Sequence, residues 1–234
     1  MDRIWISDEG GVAVTGGQAD LFAHRPSADG QPTRRHFVAR ISGGGIIPCL
    51  PGGPLAIEAV PLPGTTLSTV PPGPLAAGQV SAVDTALLAI ADSVRAAGAP
   101  RDATILQPHQ IMSAAPGTTL IGNSKVWWLR IVGGAVRVNG RSVSLGTADA
   151  DLIVLSGRDW IQIETACTIE TMSSGDLHAA GLLDDALTAY LRRLLAVIDE
   201  RVTDRDLASL AAIDARKASG ALVVGDAARA ALRA

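Results

Sequence analysis

Four histidines, two cysteines and one glycine-rich stretch are the residues from which chemistry could be built here. His24, His36, His109 and His178 form no HxH or HxxxH pair, and no carboxylate stands at a ligand offset. The histidine cluster of a metal-dependent cupin enzyme is therefore missing. Isolated histidines of this kind read as surface or hydrogen-bonded structural groups. Cys49 and Cys167 lie far apart without a CxxC pattern, which favours two buried free thiols over a disulfide. The stretch "ISGGGIIPCLPGG" lacks the lysine and hydroxyl of GxxxxGK[ST], so its glycines give backbone freedom and no phosphate cradle of themselves. No GxSxG surrounds Ser156, which leaves that hydroxyl without a nucleophile elbow. No catalytic constellation emerges, and the expectation is a chain that is not an enzyme and carries no cofactor or metal.

A cyclic-nucleotide-binding barrel needs a glycine, then a glutamate for the ribose and an arginine for the cyclic phosphate. The matching stretches are "GGGIIPCLPGGPLAIE" and "GTADADLIVLSGRDW". The first has no arginine. The second has Arg158 but no glutamate in the expected place. Without the pair, the phosphate loses its charge-assisted partner, and both stretches are expected not to bind the nucleotide.

The elements that would hold these residues alternate in kind. Residues 1 to about 78 carry most of the prolines, many glycines and several short β-like runs. "SAVDTALLAIADSVRAA" (81–97) is helical in pattern, with Val83, Leu87, Ile90 and Val94 on one face. Ser81 is its expected N-cap with Asp84 three positions on, and Gly98 and Pro100 its stop. Strand signals return from 104 to about 172. From Asp176 the chain reads as helix, with one apolar stripe of Leu183, Leu187, Tyr190, Leu191, Leu194, Leu195, Ile198 and Val202. A second helix is expected over "DRDLASLAAIDARKASG", stopped at Gly220. Most of the stripe should be intramolecular core, with part of it open to packing against another chain, a homodimer included.

The two β regions resemble each other. Matching glycine pairs lays "GVAVTGGQADLFA" (11–23) on "WLRIVGGAVRVNG" (128–140), with Val12 on Leu129, Val14 on Ile131, Ala19 on Val136 and Leu21 on Val138. A second block, "IIPCLPGGPLAIEAV" (46–60), lies on "LIVLSGRDWIQIETA" (152–166), with Ile57-Glu58 on Ile163-Glu164. The same order twice implies a duplicated module. The fold expected is mainly β with α: two tandem small β-barrel or jelly-roll modules, similar to cyclic-nucleotide-binding units, plus C-terminal helices. The divisions are 1–100 with the trailing helix 81–97, 101–175, and a helical segment 176–234.

In "VWWLRIVGGAVRVNG" (126–140) the glycines read as a short hairpin loop, which sets Arg130 opposite Arg137. Opposed like charges cost at most about 1 kcal/mol. Either the guanidiniums splay into water, one stacking on Trp128, or an acid bridges them: Asp149, Asp151 or a partner's carboxylate. With Trp128 two residues before Arg130 on the same outer face, Trp128, Arg130 and Arg137 form the expected contact patch. Val12, Val14, Leu21, Leu129, Ile131, Val136 and Val138 are expected to be buried.

Twenty basic residues against 23 acidic ones give a net charge of −3, which argues against nucleic-acid binding through bulk charge. Only 18% of residues are charged and 47% are hydrophobic, enough for a core. The opening "MDRIWISDEGG" is no signal peptide, and no run approaches the roughly 20 apolar residues of a membrane span.

The stretches "VWWLRIVGGAVRVNG", "VTGGQADLFAHRP", "RRHFVARISGGG" and "LLDDALTAYLRRLLAVIDERVTDRDLASLAA" together resemble the N-terminal soluble region of NHLM/NHLP-type bacteriocin-export ABC transporters. The resemblance covers nearly the whole chain through hydrophobic pattern, glycines and aromatics. It departs from the family in having no transmembrane helices, Walker A or ABC signature. It implies a cytoplasmic regulatory or docking module at the inner face of the bacterial plasma membrane. Its partners would be the transporter's membrane and ATPase domains and the acidic leader peptide of the cargo. A small-molecule sensor using a degenerate barrel is the alternative, and a cupin-type enzyme ranks below both.

Overall fold

A computed structural model describes residues 3–25, 34–94, 100–107, 109–122, 124–143, 152–157 and 159–218. Gly98, Asp149, Asp151, Arg158 and Gly220, singled out above, lie outside these residues.

Alternating apolar residues and glycine turns produce seven strands first: β1 (Ile4–Ile6), β2 (Gly11–Thr15), β3 (Gln18–His24), β4 (His36–Ser42), β5 (Ile46–Ile47), β6 (Ala56–Pro61) and β7 (Thr66–Val70). They form two sheets, ordered β1-β6-β3-β4 and β5-β2-β7. A 3-10 turn, Ala77–Gln79, leads into α1 (Val80–Val94). Nine strands follow: β8 (Thr104–Ile105), β9 (Ile111–Ala114), β10 (Thr119–Ile121), β11 (Val126–Val132), β12 (Val136–Val138), β13 (Arg141–Val143), β14 (Ile153–Ser156), β15 (Trp160–Ile163) and β16 (Cys167–Met172). Their sheets are ordered β13-β12-β15-β10-β8 and β14-β11-β16-β9. Setting β10–β16 beside β1–β7 makes the two orders coincide strand for strand, with β8 and β9 added at edges. Two helices follow among the described residues, α2 (Ser174–Ala179) and α3 (Leu183–Ala218).

The glycine pairs do not close hairpins. β11 pairs with β14 and β16, whereas β12 pairs with β13 and β15, so the chain changes sheet across Gly133-Gly134. β2 and β3 part in the same way across Gly16-Gly17. All four glycines have positive φ, which a side chain would resist. The amide that follows each pair is taken by a threonine from a later turn. Ala135 N donates to Thr165 Oγ1 at 2.6 Å and Gln18 N to Thr65 Oγ1 at 2.8 Å. Arg130 therefore never faces Arg137.

The alternation still fixes the inside. Val12, Val14, Ala19, Leu21, Leu129 and Val136 are buried, while Ile131 and Val138 pack half-buried at the rim. The second unit is filled by its own residues, Leu120, Leu129, Leu155, Ile161, Ile163 and Ile169 among them. The first unit instead shares one core with α1, α3 and the outer side of β11, through residues such as Leu21, Leu87, Trp128, Leu191 and Val202. The C-terminal helical segment is thus no separate layer.

Two helix expectations need correction. Ser81 does not cap α1, which starts one residue earlier and turns Asp84 inward to Ser174. The two helices expected after Leu183 are one helix of 36 residues. It continues through 203–206 because the first unit holds that stretch. Arg25 bonds Asp199 at 2.7 Å and also reaches Thr203, and His36 meets Asp206 at 3.1 Å. Among the described residues no helix is long and apolar enough to cross a membrane.

The corner geometry predicts unequal costs at its two glycines. A Cβ at Gly133 meets nothing, whereas one at Gly134 falls 2.6 Å from the Thr165 carbonyl oxygen. Gly133→Ala should cost about 1 kcal/mol for its left-handed backbone, and Gly134→Ala about 1–3 kcal/mol more for the overlap. Urea unfolding of the two variants measures the difference.

Candidate functional site

The expected patch of Trp128, Arg130 and Arg137 is not one surface. Trp128 is fully buried, because the outer side of β11 at that end is covered by helices. Its Nε1 donates to Ser174 Oγ at 2.8 Å, the Ser174 hydroxyl donates to Asp84 Oδ1 at 2.6 Å, and its ring meets Tyr190 edge-on at 6.2 Å. Trp128 thus joins α1, α2 and α3 to the sheet. Arg130 and Arg137 lie in different sheets, each with its own acid. Arg130 pairs with Glu170 at 2.8 Å and Arg137 with Glu164 at 2.5 Å. Both acids are internal; Asp149 and Asp151 lie outside the described residues.

The helix junction carries two carboxylates with opposite displacements. Burial raises the Asp84 pKa above its ordinary 3.8, opposed by the Ser174 hydrogen bond. Asp176 goes the other way: hydrogen bonds from the Ser173 side chain and backbone, which make it part of the α2 capping box, hold it low.

The connections matched to a phosphate cassette are the β14–β15 turn and the β5–β6 connection. In the second unit the β14–β15 turn is closed by Asp159, whose Oδ2 accepts from Ser156 N and Oγ at 3.0 Å and whose Oδ1 accepts from Asn139 at 2.7 Å. A Cβ on Gly157 would lie 3.0 Å from Asp92 Oδ1. Tyr190, within 3.4 Å of Ser156 Oγ, has its phenol pushed up by burial and stays protonated. In the first unit the β5–β6 connection contains Pro48, Pro51 and Pro54, which supply no N–H. A cleft of about 360 Å³ beside it is lined by Trp5, Leu50, Pro51, Leu195 and Asp8.

The densest polar cluster lies on the outer face of the sheet β1-β6-β3-β4. Strand register aligns Trp5, Glu58, Phe22 and Phe37 in one row. Glu58 is fully buried. Its Oε1 is 2.7 Å from Arg35 Nε and 3.0 Å from the Nε2 of buried His24, and its Oε2 is 3.4 Å from Arg3. Trp5 stacks at a tilt on His24 at 5.3 Å, Arg3 sits over Trp5 and Arg35 over Phe22. Trp5 and Phe37 are 39% and 47% exposed, and the Arg3 and Arg35 side chains about half exposed. The group contains no nucleophile. It presents aromatic faces and guanidinium edges, held from below by one carboxylate. Sequence reading missed it because its members come from four strands. The signal available was a charged Glu58 inside an apolar run, "LAIEAV".

No family model and no curated protein matches the chain. Among solved structures, it is similar to "cAMP bound PfPKA-R (141-441)", at 10% identity over 85% of this chain and 80% of that one, with a TM-score of 0.32. It is also similar to the regulatory subunit of a cAMP-independent protein kinase A from Trypanosoma brucei, at 13% identity over 82% and 75%, with a TM-score of 0.28. A third similarity, to a mutant of salicylate 1,2-dioxygenase from Pseudoaminobacter salicylatoxidans, has 11% identity over 77% and 72% and a TM-score of 0.22. Scores this low carry no functional argument.

The two displaced carboxylates predict opposite dependences on pH. A raised carboxylate pKa favours the protonated form on folding, so Asp84 costs stability as pH rises through its titration. Asp176 contributes stability that is present above its ordinary pKa and lost as pH falls through its folded one. Asp84→Asn should therefore raise the melting temperature at pH 7, and Asp176→Asn should lower it there but not in acid. Melts across pH check both signs.

At the outer face, removing both guanidiniums leaves the buried carboxylate with His24 alone, whereas neutralising the carboxylate leaves two cations that reach water. The double change Arg3→Ala, Arg35→Ala should cost about 3 kcal/mol. Glu58→Gln should cost less, in the same urea measurement.

Proposed function

We propose that this chain is a non-catalytic regulatory and docking module of a bacteriocin-export ABC transporter system, acting at the cytoplasmic face. Its two β units are read as a duplicated jelly-roll of the cyclic-nucleotide-binding type in which the nucleotide site has been lost. The observation that carries the docking role is the outer face around Glu58: exposed Trp5 and Phe37 flanked by half-exposed Arg3 and Arg35. Aromatic and arginine side chains together are the residues that anchor interfaces. Guanidiniums at the rim suit an acidic partner segment, as an acidic leader peptide would be. The lack of a glutamate–arginine pair in either matching stretch and the proline-bearing β5–β6 connection support the loss of nucleotide binding.

Calorimetry with an acidic leader peptide and with the transporter's ATPase domain tests the reading. Binding should weaken with added salt, and Trp5→Ala with Phe37→Ala should lower affinity by about tenfold or more, since an anchor is worth ≥2 kcal/mol. Cyclic AMP and cyclic GMP should give no heat. Micromolar binding of either nucleotide, or leader binding indifferent to the double change, overturns the proposal.

A further inference from the structure

We propose that the cavity between the proline segment 70–75 and the first turns of α3 binds a small organic cation, an amine on an apolar body. The space measures about 420 Å³, within the range of small-molecule sites. It stands apart from the docking face around Glu58 and does not depend on that reading.

The wall is Pro71, Pro72 and Pro74, faced by Leu187 and Leu191 of α3. Prolines offer carbonyl oxygens and no N–H, so the wall can accept hydrogen bonds and cannot cradle an anion. Asp184 is the one charged residue in the lining among the described residues. Its Oδ1 accepts from Leu75 N at 3.3 Å, which fixes the carboxylate at the cavity edge. The N-terminal end of α3 is the positive end of its dipole, worth about half a charge. Asp184 and Asp185 both lie in that first turn, so two full negative charges exceed it. The Gln79 Oε1 accepts from Ala76 N at 2.9 Å, which fixes that side chain at the cavity rim. The side-chain donors in the lining are the Gln79 amide, Thr188 and the free thiol of Cys49, all of them neutral. A cavity walled by prolines and leucines, with a carboxylate as its one charged group among the described residues, selects a ligand that brings an apolar body and the positive charge.

Cys49 supplies the readout. Cys167 is buried within the second unit with its thiol pKa raised by burial, so it serves as an internal control. The chain is treated with iodoacetamide in the presence of phenethylamine, 2-phenylethanol or phenylacetate, and modification of each cysteine is followed by mass spectrometry. Phenethylamine at ten times its Kd should slow Cys49 modification about tenfold, in proportion to the free fraction of the cavity. The alcohol and the carboxylate at the same concentration should leave it unchanged, and Cys167 should not respond. Asp184→Asn should abolish the protection. Thr188→Trp, which fills the cavity while keeping the carboxylate, should abolish it too, and the unliganded melting curve of each variant establishes that it is folded. Equal protection by all three ligands, no protection by the amine, or protection that survives in Asp184→Asn overturns the proposal.

Discussion

The buried Trp128 indole is the contact on which the arrangement of layers rests. Its side chain points out of the second unit, where most residues of an isolated sandwich would meet water. It is instead fully enclosed, and its N–H is satisfied by Ser174, which in turn bonds Asp84. A buried indole N–H without a partner is costly. This chain of donors therefore specifies where α1 and α2 sit, and the Tyr190 edge contact adds α3. Once those helices are placed, α3 runs on to the first unit, where Asp199 and Asp206 meet Arg25 and His36.

The distribution of charge follows from the same economy. With few charged residues, the molecule uses many of them in pairs across elements: Arg40 with Asp20, Arg130 with Glu170, Arg137 with Glu164. Exposed pairs of this sort each contribute little, about 0–1 kcal/mol. Their value is in register, since each sits between neighbouring strands or a strand and its adjoining turn. The Glu58 cluster differs, because its carboxylate has no water to return to.

Much of the β architecture was legible from one-dimensional pattern. The glycine-pair alignment places Val12 on Leu129 and the second block places Ile47 on Ile153, which is the register the paired strands adopt. The second block fails one strand later. Structurally Pro61, not Ile57, matches Ile163, because fourteen residues separate Ile47 from Pro61 and ten separate Ile153 from Ile163. An insertion inside a proline-glycine connection leaves no trace in hydrophobic periodicity. The hairpin misreading has a different cause. A Gly-Gly corner between sheets and a Gly-Gly hairpin share the same local dihedral demands, and what separates them is a threonine, Thr65 or Thr165, distant in sequence. Trp128 looked exposed because alternation distinguishes inside from outside a sheet, not an outside that faces water from one that faces a helix. The Glu58 row required register across four strands, which no local window contains.

The sharing of one core between the first unit and the end of the chain has a consequence for the order of assembly. The second unit's interior is closed by residues between Leu106 and Ile169, all available once that stretch has left the ribosome. The first unit, although synthesised earlier, includes Ile198 and Val202 in its core and ties Arg25 to Asp199 across 174 positions. Contacts of such separation carry the loop-closure penalty that slows folding. The half of the molecule made first is therefore the half completed last, and until α3 arrives its apolar surface is exposed to chaperones and to neighbouring nascent chains.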